Sequence, residues 1–323
     1  MYDIERTMRG TFLLASVAAT GAHAWGSLGH ETVAFIAENF VSGHTKVWAQ
    51  AILDDTTDGY LASVATWADS YRYTSAGRFS APFHFIDAED SPPSSCSVDF
   101  DRDCGNAGCS VSAIANYTAR VQSSSLAPTE VDYALRFLVH LLGDITQPLH
   151  GEALEVGGND IAVTFDGTST NLHHVWDENM PEELVGGYTL SDAKVWAAYL
   201  TTEIKTGKWE SSKDSWVHGL DISDAKGSAM LWATDANKYV CSHVIPNGQS
   251  AVRSGDLYPT YYNSATPIIE LQIAKGGYRL AHWLNAIAAG QSVPKMGLKP
   301  REENEDVFGR DLLPPPRELR PAK

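Results

Sequence analysis

The sequence predicts a mainly α-helical, single-domain protein with one small β-hairpin. Three observations lead there. Apolar residues recur at helical spacing in segment after segment of the 323-residue chain. Only one stretch, 155–167, alternates as a strand does, and it ends on the turn dipeptide Asp166-Gly167. Hydrophobic residues make up 43% of the chain and include nine Trp, which argues for a well-buried globular protein.

Taken in order, residues 1–24 read as a signal peptide. Met8-Arg9-Gly10 carries the positive charge, 11–19 is apolar, and Ala22-His23-Ala24 fits a small-residue cleavage site. Residues 1–7 look like an upstream extension. The expectation is a secreted, extracellular protein whose mature chain starts at Trp25. Four cysteines suit that compartment. Cys104 and Cys109 could close a small ring, leaving Cys96 and Cys241 to staple a long separation, but four cysteines allow three pairings and spacing does not decide among them. Asn116-Tyr117-Thr118 is the one clear N-glycosylation sequon.

Helical periodicity marks 31–40 and 47–53. The acidic turn at Asp54, Asp55 and Asp58 lacks EF-hand spacing and reads as a solvated loop. Asp69 and Arg72 stand three apart on one helical face. Such a pair is ordinarily a surface ion pair of little worth, but it also suits a metal carboxylate beside a phosphate-clamping guanidinium. Pro82 to Asp87 alternates apolar and polar. If extended, it puts His84 and Ile86 on one side and Phe85 and Asp87 on the other, where a ring could stack on a base and a carboxylate accept from its edge. Residues 91–110 form a cysteine-pinned loop, and 111–121 a helix. The run 131–149 follows, ended by Pro148. The strand signal at 155–159 and 161–167 makes a hairpin with Asn159 in its loop. Asn171 starts a helix on which His173 and Asp177 are four apart, with His174 directed elsewhere in a supporting role. Three helices remain: 191–205, 223–241 and 267–289, the last with Thr266 as N-cap, Pro267 at its first position and Gly276-Gly277 for close packing. His218, His243 and His282 have no carboxylate at helical spacing and read as structural. Residues 291–323 are rich in Pro, Glu and Arg and read as a disordered tail.

The chemistry concentrates in 140–150. His140 and Asp144 project from one helix face a turn apart, and His150 sits just past the helix end. Imidazole, carboxylate and imidazole gathered this way suit a zinc ion. His173 and Asp177 repeat the spacing. At the other end of the mature chain, the freed amine of Trp25, its carbonyl and His30 could chelate a metal, because an α-amine titrates far below a lysine. With net charge -16, the chain should repel polyanions at long range. Any nucleic-acid contact then needs something besides a Lys/Arg patch, and bound zinc ions would serve.

Five motifs carry a resemblance: W-G-x-x-G-H from Trp25, W-A-D ending at Asp69, H-F-I-D from His84, H-x-x-x-D-x-x-Q-P-L-H from His140 to His150, and N-L-H-x-x-W-D ending at Asp177. Over about 25–290 the chain resembles the secreted single-strand-specific zinc nucleases of fungi and plants, whose helical fold is shared with the zinc phospholipases C. The resemblance implies three Zn2+ ions. One is held by Asp69, His84, His140 and Asp144, a second by His150, His173 and Asp177. The third is held by the Trp25 amine and carbonyl, His30, and a bridging Asp144. It also implies disulfides Cys96–Cys241 and Cys104–Cys109, with Phe85 and Asp87 as the base pocket and Asn159 as a phosphate or base contact.

The implied activity is endonucleolytic hydrolysis of single-stranded DNA and RNA to 5′-phosphate products, with 3′-nucleotidase activity, by a monomer that binds no membrane. An all-N/O ligand set suits catalytic zinc. Zinc would acidify a shared water, Asp69 would orient it, and Arg72 would stabilise charge on the phosphoryl oxygens. Arg72 stands where the family often has Lys. A zinc phospholipase C is the nearest rival, and a secreted zinc-binding protein without turnover is the alternative of another class.

Overall fold

The structure, a computed structural model, describes residues 25–297. Residues 1–24, read above as a signal peptide, and the tail beyond 297 lie outside the described residues. The fold is mainly helical, with one two-stranded antiparallel sheet among the described residues. No helix there is long and apolar enough to cross a membrane.

Three helices frame the site. The entry helix Ser27–Glu38 packs on the closing helix Thr260–Ala288 and on Leu190–Lys205. The central helix Pro128–Asp144 packs on Ser110–Val121 and on the closing helix. Its start and buried face follow from sequence. Pro128 occupies the first turn, where a missing N–H costs nothing, and Leu135, Leu138, Leu141 and Leu142 make the buried stripe. The close crossing of entry and closing helices needs Gly277, because a Cβ there would lie 2.5 Å from Ile36 Cβ.

Several element boundaries differ from the sequence expectation. The central helix stops at Asp144, and Pro148 opens a 3-10 turn, Pro148–Gly151, that carries His150. The closing helix begins at Thr260, so Pro267 lies inside it and Thr266 is not its cap. Packing of the apolar face (Ala265, Ile269, Ile273) outweighs one lost backbone hydrogen bond. Arg78–His84 is 3-10 helical, and only from Phe85 is the backbone extended. The hairpin is Ala162–Phe165 paired with Thr168–Asn171, turning through Asp166 and Gly167, both at positive φ. Residues 155–158 all have positive φ, which no strand accommodates, so Asn159 closes a separate turn rather than a hairpin loop. Both implied disulfides, Cys96–Cys241 and Cys104–Cys109, are present.

Candidate metal centre

His84, His140, Asp144 and Asp69 converge from three elements. His84 ends the 3-10 helix, Asp69 lies in the short helix Trp67–Tyr71, and the other two come from the last turn of the central helix. His84 Nδ1 lies 3.0 Å from Asp144 Oδ2, 3.0 Å from His140 Nε2 and 3.7 Å from Asp69 Oδ1. His140 Nε2 lies 3.2 Å from Asp144 Oδ2 and 3.6 Å from Asp69 Oδ1. A tetrahedral zinc with ligands at about 2.0–2.2 Å spaces them about 3.4 Å apart, so these four atoms fit one ion.

The other oxygen of Asp144 faces away from that set. Oδ1 stands 3.1 Å from His30 Nε2, at the start of the entry helix. One carboxylate therefore serves two clusters. The His30 ring stacks on His140 with centroids 3.9 Å apart, and Gly143 makes room for it: a Cβ there would come within 2.9 Å of His30 Nδ1. Trp25 is fully buried at the head of this helix, its indole N–H donating to Thr146 Oγ1 at 3.1 Å. Gly26 N–H donates to the Asp177 carbonyl at 2.9 Å, which ties the entry segment to the remaining cluster.

That cluster is His150, His173 and Asp177. Nε2 of His150 and His173 are 3.1 Å apart, and Asp177 Oδ2 lies 3.0 Å from His173 Nε2. Gln147 Nε2 donates to Asp177 Oδ1 at 2.6 Å and fixes the carboxylate's orientation. His140, His150 and His173 each donate Nδ1–H to a backbone carbonyl, of Ala65 (2.7 Å), His84 (2.7 Å) and Gly157 (2.6 Å) respectively. These bonds set the tautomer that leaves Nε2 as the ligand atom.

Buried polar atoms test the fit of a cation. Asp144 Oδ1 and His30 Nε2, which face each other at 3.1 Å, are both buried without a hydrogen-bond partner. Leaving a buried acceptor unmet costs about 1–3 kcal/mol, more for a charged group, so the centre is built for cations. Titration agrees. Burial pushes His30 and His84 down, and burial with the neighbouring His173 pushes His150 down to about 4, so these rings stay neutral, the form a metal ligand needs. Burial would also lower His140, but Asp144 and Asp69 outweigh it and raise it to about 9. Burial likewise opposes protonation of His173, but Asp177 outweighs it and raises the ring. Burial would raise Asp144; the charge of His140 and the close ring nitrogens of His140, His30 and His84 instead hold it well below the ordinary carboxylate range. Without a metal, a proton on His140 balances the carboxylates. A divalent ion would take its place.

Around the centre, Arg72 Nη2 lies 3.4 Å from Asp69 Oδ1, and its charge also acts on His173, placing the guanidinium near two clusters. Phe85 is half-buried beside His84, its carbonyl taking the Ser110 N–H, while Ile86 N–H donates to the His150 carbonyl. Asp87 is exposed, and partial desolvation with Asp103 and Glu89 pushes its carboxyl up. Asn159 is half-buried, its amide donating to Val156 O at 2.8 Å, next to Gly158 whose carbonyl takes the His173 N–H. His174 reaches only Glu178, at 3.6 Å. Asn116 is exposed on its helix, while Thr118 is buried and accepts from Trp283 Nε1. Sequence reasoning missed Gln147, Gly143 and the carbonyls of Ala65 and Gly157. Gln147 and Gly143 at least sat inside the His140–His150 motif; backbone carbonyls leave no residue-type signal.

Comparison with known proteins gives a consistent set. The family described as S1/P1 Nuclease matches residues 25–289. Nuclease S1 of Aspergillus oryzae is 57% identical over 270 residues, covering 84% of this chain and 94% of that protein. Nuclease P1 of Penicillium citrinum is 57% identical over 263 residues, covering 81% and 97%. Endonuclease 3 of Arabidopsis thaliana is 31% identical over 283 residues, covering 86% and 93%.

Proposed function

The chain belongs to the S1/P1 nuclease family, and from that premise we propose that it is a secreted, monomeric, zinc-dependent endonuclease. It cleaves single-stranded DNA and RNA to 5′-phosphate products and acts on 3′-nucleotides. The observation that carries the reading is Asp144, whose two oxygens face two different histidine sets, as a bridging ligand does.

Three zinc ions fit the residues present. Asp69, His84, His140 and Asp144 would hold one. His150, His173 and Asp177 would hold another. Asp144, His30 and the amine and carbonyl of a chain starting at Trp25 would hold the third. Bound there, zinc supplies Lewis acidity and makes a water acidic enough to deprotonate near neutral pH. The chain's residues do the rest. The Asp69 carboxylate would orient such a water by accepting its hydrogen bond. Arg72 donates to the phosphoryl oxygens as negative charge gathers on them, holding a fork geometry that Lys lacks. Phe85 stacks on the base, Asp87 hydrogen-bonds its edge, and Asn159 contacts the phosphate or base. A base that must enter such a pocket cannot stay stacked in a duplex, which gives single-strand preference, and stacking tolerates any base. Asn116 is a glycan acceptor on the exposed face of its helix.

The test offers the zinc-loaded protein single-stranded DNA, duplex DNA, RNA, a 3′-nucleotide and phosphatidylcholine. Single strands and RNA should be cut to 5′-phosphate ends and the 3′-nucleotide dephosphorylated, with duplex and lipid far slower. Preferential lipid hydrolysis, or zinc binding with no turnover on any of them, would overturn the proposal.

A further inference from the structure

Apart from the metal centre, the closing helix, the helix Ala225–Tyr239 and the 3-10 turn Lys213–Val217 border a cavity of about 340 Å³ that opens to the surface. None of the candidate zinc ligands lines it. Its walls are Trp209, Trp216 and Tyr239, and its floor is charged. Three cations share a single carboxylate there. Lys275 Nζ and Arg279 Nη2 each lie 2.7 Å from Asp235 Oδ2, and Lys238 bonds the other oxygen. Lys275 and Arg279 are 4% exposed. Of the nearby carboxylates, Glu270 is engaged by Lys208, and Asp214, hydrogen-bonded by the neutral Tyr278 hydroxyl, keeps its charge, so three cations face two carboxylates.

A surplus of positive charge gathered on two buried cations is costly in any protein and unexpected in one of net charge -16. Two details show that the cluster is not closed on itself. Arg279 donates Nε–H to the Trp216 carbonyl and Nη2–H to Asp235, but Nη1 is buried with no partner. Burial lowers Lys275 to about 8 despite Asp235, with Arg279 and Lys238 adding repulsion. A second anion in the cavity would neutralise the excess that Lys238, Lys275 and Arg279 leave along its lining. Guanidinium and ammonium converging on one point suit a tetrahedral oxyanion, and the aromatic walls suit a planar ring attached to it.

We propose that this cavity is an anion site, separate from the metal centre, that takes a phosphate group, either as inorganic phosphate or as the 5′-phosphate of a mononucleotide. Phosphate monoesters are what the proposed nuclease activity releases, so the site would be occupied as product accumulates. That last clause rests on the proposed function; the site itself does not.

Equilibrium dialysis of zinc-loaded protein against inorganic phosphate and 5′-deoxyadenylate tests it, with tryptophan fluorescence as second readout, since Trp209 and Trp216 line the cavity. The unmodified protein should show a class of phosphate sites that Lys238→Gln weakens about five- to tenfold. Asp235→Asn should tighten the same class, because it removes the competing carboxylate. Both variants should keep full zinc content and single-strand cleavage, which separates failure here from failure of the nuclease reading. Lys238 is largely exposed, so its replacement does not endanger folding. Tighter binding of the nucleotide than of phosphate would assign the aromatic walls to the base, and equal binding would assign recognition to the phosphate alone. A phosphate isotherm and fluorescence response identical in the three proteins would overturn the proposal.

Discussion

Asp144 and Asp177 are both buried carboxylates four residues from a histidine, yet their replacement should have different consequences. Asp144 faces two clusters through separate oxygens, whereas Asp177 spends one oxygen on Gln147. Asp144→Asn should therefore lower bound zinc by about two ions and Asp177→Asn by about one, read by metal analysis after gel filtration. Equal losses would mean that Asp144 does not bridge. Arg72→Ala should keep the zinc and lower kcat by about 10²–10³-fold, the usual cost of removing one donor to developing charge. Phe85→Ala should act mainly on KM, since stacking contributes about 1–3 kcal/mol per base. Gly143→Ala tests a subtler requirement: its methyl would press on the His30 ring, so zinc should be lost without any ligand being removed. The pairs His140–Asp144 and His173–Asp177 were legible in the sequence, because residues four apart share a helix face. The supports were not, since the Ala65 and Gly157 carbonyls belong to residues of no chemical distinction.

Among elements, helices with unambiguous punctuation were readable. Pro128 and the leucine stripe defined the start and buried face of the central helix. The closing helix was misread by nearly two turns because Pro267 looked like a first-turn residue, and only packing on the entry helix explains its place inside. The 155–158 turn was misread because alternation cannot reveal positive φ. That turn matters, for the Gly157 carbonyl holds His173. The elements that meet at the metal centre also predict a pH response. His140 is raised to about 9 in the metal-free fold, above its ordinary 6.5. Its stabilisation is thus complete below about pH 6.5 and disappears as pH rises through about 9, when Asp69 and Asp144 lose their counter-charge. The chelated protein should lose melting temperature between pH 7.5 and 9.5, while the zinc-loaded protein loses much less. A flat or rising curve for the chelated form would contradict this.

At the scale of the molecule, the acidic surface sets how substrate is captured. With a net charge of -16 and Arg72 as the basic side chain at the metal centre, binding there should depend weakly on salt. For single strands each neutralised phosphate gives a log–log slope of about -0.7, so a slope steeper than about -2 would point to a basic track that this account lacks. Family membership was readable because the motifs span nearly the whole mature chain, whereas the aromatic and cationic cavity was not, since its residues come from distant segments with no shared pattern. Everything proposed for catalysis depends on cations bridged by Asp144. The most direct measurement is zinc content and single-strand cleavage on the same sample of protein beginning at Trp25, before and after a chelator. The account predicts three zinc ions and rapid cleavage before, near-complete loss of both after, and recovery of both on adding zinc. Cleavage that persists once the metal is gone would contradict it.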